Sequence, residues 1–144
     1  MTTVNRLKLN KYVVNKIAYT IDTKFDFKSK KAINICPQFK RVVKNINNNT
    51  FSLKISVKIS DELQENEVPF SAEVVITGLF NLTDWKNTSN RNFGIDVGTT
   101  VLYPYLRSLL SNTVNNGNLP PYVLPITNTK MLFENIETKK VLKT

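Results

Sequence analysis

Histidine is absent from the 144 residues. That removes Ser-His-Asp and Cys-His catalysis, His-ligated zinc and the usual proton shuttle near neutral pH. Cysteine occurs once, at Cys36, so no disulfide can close within the chain. The four glycines, Gly78, Gly94, Gly98 and Gly117, do not form a phosphate-cradling loop ahead of a lysine. No apolar run approaches the ~20 residues of a membrane-spanning helix, and Arg6, Lys8, Asn10 and Lys11 interrupt any signal-peptide core. No acidic pair is marked out for carboxylate catalysis. These absences lead to the expectation of a cytoplasmic protein that is not an enzyme, uses no cofactor or metal and does not insert into a membrane.

What is present fits one α+β domain spanning residues 1–144. The net charge of +9 is uneven: residues 1–58 hold 13 Lys/Arg against only Asp22 and Asp26, whereas residues 59–100 are acidic. A basic half of this kind fits an acidic partner or nucleic acid.

Period-two patterns dominate the first half. Leu7, Leu9, Val13, Ile17, Tyr19 and Ile21 predict a half-buried strand on the odd positions. A short second strand is expected at residues 32–35, limited by Pro37. Residues 45–50, "NINNNT", read as a turn. The stretch "FSLKISVKIS" sets Phe51, Leu53, Ile55, Val57 and Ile59 on one face, with Ser and Lys on the other. Phe70, Ala72, Val74 and Ile76 alternate again beyond an acidic connector at residues 61–67, so these two strands predict an antiparallel hairpin. Residues 81–92 read as a polar loop carrying Trp85, the single tryptophan.

After Phe93 the pattern changes. Leu102, Leu106, Leu109, Leu110 and Val114 recur at helical spacing, predicting a helix over about residues 94–116 that Pro104 starts or kinks and Gly117 ends. "NLPPYVLP" (residues 118–125) cannot continue a helix and reads as an extended crossover carrying Leu119, Tyr122, Val123 and Leu124. Asn128 then caps a last helix to about residue 141. Four antiparallel strands followed by two helices, joined by a proline-rich crossover, place the helices on one sheet face.

At these residues the chain resembles the SecB export chaperones. In that family a helix with an FPYAR-type segment ends at an RG-type turn and runs through an FPxLxLxPVNFxALF crossover. Here "LYPYLRSLLSNTVNNGNLPPYVLPITNTKMLF" follows that order without a gap, through Pro104, Arg107, Gly117, Pro120, Pro125, Asn128 and Phe133. "PFSAEVVITGLFNL" is similar to the family's fourth strand, and the resemblance spans about residues 6–136.

The resemblance implies a chaperone that holds non-native or nascent polypeptide without ATP. It implies a hydrophobic groove, for which the candidate lining is Leu119, Tyr122, Val123, Leu124, Leu132, Phe51, Phe70 and Phe80. It also implies self-association as a dimer or tetramer through the long helix, with Leu102, Leu106, Leu109 and Leu110 as candidate contacts. Family members dock the export motor SecA through carboxylates on the sheet and through the C-terminal tail. Glu73 keeps one such carboxylate, but Lys16 and Thr20 stand where the family carries acids, and "ETKKVLKT" is basic. Repulsion at a docking site removes specificity directly, so weak SecA docking is expected and a dedicated client, such as an antitoxin, becomes a serious alternative to general export. The runner-up of a different class is a basic nucleic-acid-binding module. Tyr12, Tyr19, Phe25, Phe27 and Phe39 interleave with its lysines as in single-strand binders, but alternation turns the odd-numbered ones toward the core.

Overall fold

The computed structural model describes residues 7–21, 37–60, 70–115 and Phe133. The strict alternation of β-branched and aromatic residues with Ser and Lys builds two central strands, β3 (Thr50–Ile59) and β4 (Phe70–Leu82). They pair antiparallel with Ile55 opposite Ile76 and Phe51 opposite Phe80. β1 (Leu7–Ile21) pairs with the other side of β4, and β2 (Gln38–Asn47) with the other side of β3. The result is a four-stranded antiparallel sheet in the order β1-β4-β3-β2. One helix, α1 (Thr88–Asn115), covers one face of it, lying chiefly over β4 and β3. This α+β arrangement agrees with the sequence reading. The expected proline crossover, and the expected last helix apart from Phe133, fall outside the described residues.

The core lies between α1 and the sheet. Leu53, Ile55, Val57, Ile59, Val74 and Ile76 meet Leu102, Leu106, Leu110 and Val114, all without solvent exposure. Gly78 lets the helix come close: a Cβ there would lie 2.9 Å from Leu102 Cδ2 and from Phe80 Cε2. Gly98, on the helix side, faces Leu53 and Phe80 in the same way.

Three elements differ from the sequence expectation. The second described strand is Gln38–Asn47, whereas residues 32–35 lie outside the described residues. Its inward row is Phe39, Arg41 and Val43, and a buried arginine in that row hides the alternation. The turn is tighter than residues 45–50, since pairing continues to Asn47 and Thr50 around Asn48 and Asn49. The helix begins earlier, at Thr88. Asn87 caps it: the Asn90 N–H donates to Asn87 Oδ1 at 3.0 Å and the Arg91 N–H to the Asn87 carbonyl at 2.9 Å.

Pro104 therefore sits inside α1 rather than at its start. It offers no N–H to the carbonyl one turn back, at Thr100, and both residues are exposed.

β1 departs from simple alternation. It runs for 15 residues against the 13 of β4, and the register shifts between Leu9 and Lys11 and again between Val14 and Lys16. Asn10 and Asn15 are the extra residues of two β-bulges. Their side chains are held by β4: Asn81 Nδ2 donates to Asn10 Oδ1 at 3.4 Å, and Thr77 Oγ1 to Asn15 Oδ1 at 2.6 Å. The core-side row of β1 consequently reads Leu7, Leu9, Tyr12, Val14, Ile17, Tyr19 and Ile21, opposite the inward residues of β4. Val13 pairs with Thr77 and faces outward, a correction to the odd-position reading.

Candidate functional site

Because α1 lies over β4 and β3, the core-side row of β1 runs out from under it. Tyr12, Val14, Ile17 and Ile21 are between 37% and 49% exposed although they belong to the core face. Tyr105 of α1 reaches across to Tyr12, with ring centroids 4.6 Å apart at 31°. Both tyrosines stay substantially exposed, so they form the inner wall of an apolar strip that runs out to β1, the edge strand of the described sheet. Val101, one turn earlier on α1, is exposed as well.

The residues expected to line a groove separate into two groups. Phe51 and Phe80 are fully buried and stacked at 5.2 Å and 12°, with Trp85 against Phe51 at 5.0 Å. Phe70 is buried beside Tyr19, ring centroids 5.9 Å apart. These three phenylalanines form core rather than an open wall, because their β3 and β4 positions lie directly beneath the helix layer. Leu119, Tyr122, Val123, Leu124 and Leu132 lie outside the described residues. Phe133 is described, and it is buried: its ring lies 5.5 Å from Phe39, and the Arg41 guanidinium carbon stands 5.6 Å from its centroid.

The helix residues expected to face a second copy face inward instead. Leu102, Leu106 and Leu110 have no exposure, and Leu109 packs against the same core. The outward stripe of α1 is Val101, Pro104, Tyr105 and Ser108. Sequence reasoning missed Tyr12, Val14 and Tyr105. The signal available for the first two was the pair of asparagines five residues apart in an otherwise regular strand.

On the far side of the sheet, Glu73 lies on β4 and accepts an ion pair from Lys16 Nζ at 2.8 Å. The one carboxylate kept at the expected docking position is thus already partnered by a lysine of the same chain. Among the described residues no helix is long and apolar enough to cross a membrane, and no group of His, Cys, Asp and Glu is placed to hold a metal ion.

A family model described as preprotein translocase subunit SecB matches residues 7–140. The chain belongs to the SecB family. Among SecB-named relatives, the protein-export protein SecB of Magnetococcus marinus is 30% identical over 92 residues, 62% of this chain and 55% of that protein. An uncharacterized protein of Methanocaldococcus jannaschii is 28% identical over 136 residues, 93% of this chain and 86% of its own. The fold is similar to that of a SecB-like chaperone from Mycobacterium tuberculosis, solved in complex with a ChAD peptide from the HigA1 antitoxin. There the TM-score is 0.64 at 17% identity, covering 85% of this chain and 88% of that one. The SecB-named relatives are bacterial export proteins matched in sequence, and the fold is shared with a chaperone that holds an antitoxin peptide.

Proposed function

We propose that the protein is an ATP-independent holdase, a cytoplasmic chaperone that keeps non-native polypeptide from aggregating by binding its apolar segments. Membership of the SecB family supports this reading. The observation that carries it is the uncovered strip of Tyr12, Val14, Ile17 and Ile21 beside Tyr105. An exposed apolar row on an edge strand is a hazard in a chain that has no use for it. Each client side chain that became fully buried there would contribute about 1.5–3 kcal/mol before the cost of ordering the client. By resemblance to the family, Leu119, Tyr122, Val123, Leu124 and Leu132 also take part in client binding.

A dedicated client, such as an antitoxin segment, is the second reading. Two observations favour it: the fold match to a chaperone holding an antitoxin peptide, and the Lys16–Glu73 pair, which neutralises the carboxylate that would meet SecA.

The experiment is suppression of the aggregation of an unfolded model protein, with light scattering run on the same samples. The native chain is expected to suppress aggregation. The Tyr12→Ser/Ile17→Ser variant is expected to suppress it less at unchanged mass. Full suppression by the variant would remove the strip from the client site. No suppression by the native chain would leave only the dedicated-client reading or a SecB-fold adaptor.

A further inference from the structure

The outer face of the sheet, opposite α1, carries Lys8, Lys11 and Lys16 on β1, Lys54 and Lys58 on β3, and Lys40 and Lys44 on β2. All seven are exposed, and Glu73 is the sole acidic residue among the described residues of this face. β4 contributes no lysine. Between Glu73 and Asn81 its outward row is Val75, Thr77 and Leu79. β4 lies between β1 and β3. Lysines therefore flank an uncharged, partly aliphatic floor: Lys11 is opposite Leu79 and Lys16 opposite Val75 on one side, and Lys54 is opposite Thr77 on the other. With adjacent strands about 4.8 Å apart, the two lysine rows stand about 10 Å from each other across β4. That width takes one extended chain, with flexible ammonium groups reaching it from both sides.

We propose that this face is a docking surface for an extended acidic polypeptide segment whose carboxylates alternate with aliphatic side chains. Alternation follows from the extended chain, whose successive side chains point to opposite faces. One row of the segment meets Val75 and Leu79 while the carboxylates turn to the flanking lysines. At the β2 side the face deepens into a basin of about 200 Å³ lined by Gln38, Lys40, Ser56, Lys58 and Glu73. Among the described residues the one acidic counter-ion on this side is Glu73, which engages Lys16, so the described part of the face carries a strong positive excess.

Charge complementarity selects an anionic partner, and the side chains of the face select a polypeptide over nucleic acid. Single-strand binders set aromatic rings among their cations to stack bases. Here Tyr12 and Tyr19 point to the core side, and the outer row of every strand is free of aromatics. The site is separate from the apolar strip, which lies on the opposite face of the same strand, and the proposal does not depend on holdase activity.

The test titrates the full chain with a fluorescein-labelled 13-residue peptide of alternating Glu and Val, at 50 mM and 300 mM salt. A 20-nucleotide oligo(dT) is titrated in parallel. Saturable peptide binding is expected, weakened about tenfold or more by the higher salt. The same loss is expected in Lys11→Glu/Lys54→Glu, and a partial loss in Lys11→Gln/Lys54→Gln, which tests the site should charge reversal disturb folding. Aggregation suppression is expected to be unchanged in the glutamine variant. The proposal is overturned if the peptide fails to bind, or binds with an affinity indifferent to both variants. Tighter binding of oligo(dT) through the same lysines would overturn it too and make the face a nucleic-acid surface.

Discussion

Arg41 of β2 and Thr99 of α1, 58 residues apart in the chain, are joined by a 2.7 Å hydrogen bond from Arg41 Nη1 to Thr99 Oγ1. The Thr99 hydroxyl in turn donates to the Ile95 carbonyl at 2.7 Å. Both residues are buried, and the guanidinium also faces the Phe133 ring. A charged group thus bridges an outer strand, the long helix and a residue from beyond it.

Thr99→Val keeps the shape and removes the acceptor. A hydrogen bond to a charged group contributes about 1.5–3 kcal/mol, and a loss in that range is expected by urea denaturation. Stability unchanged within experimental error would mean that other partners of Arg41 carry the bridge alone.

The two faces of α1 should respond oppositely. Leu106→Ala empties a fully buried site and is expected to cost about 2–5 kcal/mol. Tyr105→Asp alters an exposed position on the stripe with Val101. It is expected to leave the melting temperature within a few degrees while weakening suppression of aggregation, because Tyr105 borders the apolar strip beside Tyr12. Full suppression by Tyr105→Asp would take this residue out of the client site.

Binding to SecA should be weak. Glu73 is held by Lys16, and the face around it is cationic. Exposed charge pairs contribute about 0.2–1 kcal/mol each, so losing two attractive pairs and adding a repulsion lowers affinity about tenfold. A titration with SecA from the same host measures this. Submicromolar binding that Glu73→Lys abolishes would identify the protein as an export chaperone after all.

Burial pushes the Tyr103 phenol above its usual value of 10.0, an effect that the neighbouring Arg107 charge partly offsets. The folded state therefore holds the phenolic proton more tightly than the unfolded chain. That contribution is complete below pH 10 and fades as pH rises through the folded value. Tyr103→Phe is expected to flatten the decline in stability above pH 10 relative to the native chain. Parallel declines in the two proteins would place the alkaline sensitivity elsewhere.

β3 and β4 were legible in the sequence because one face of each is buried along its whole length, and period two is the direct imprint of that. β2 was not, since Arg41 occupies a core position and its partner Thr99 is visible only after α1 has packed. The start of α1 was hidden by Thr88, Ser89, Asn90, Arg91 and Asn92, all polar, although Asn87 is an ordinary cap in the right place. The leucines of α1 were recognisable as an apolar stripe, but a stripe does not state whether the chain's own sheet or a second copy covers it. The β1 strip stayed hidden because alternation in that strand changes phase twice, placing Tyr12 and Val14 with Leu9 and Ile17.

Those two phase changes also bear on how the chain can vary in length. Asn10 and Asn15 have no counterpart on β4. Removing either would carry the strand across the gap with Leu9 and Lys11, or Val14 and Lys16, still on their present faces. Deletion at any paired position between Lys11 and Val14 would instead leave one bulge too many for the residues remaining and turn part of the strand over. Related chains can therefore lose a residue at these two asparagines without disturbing either the apolar strip or the lysine rows. Sequence alignments across the family should accordingly place their gaps in this strand at positions 10 and 15.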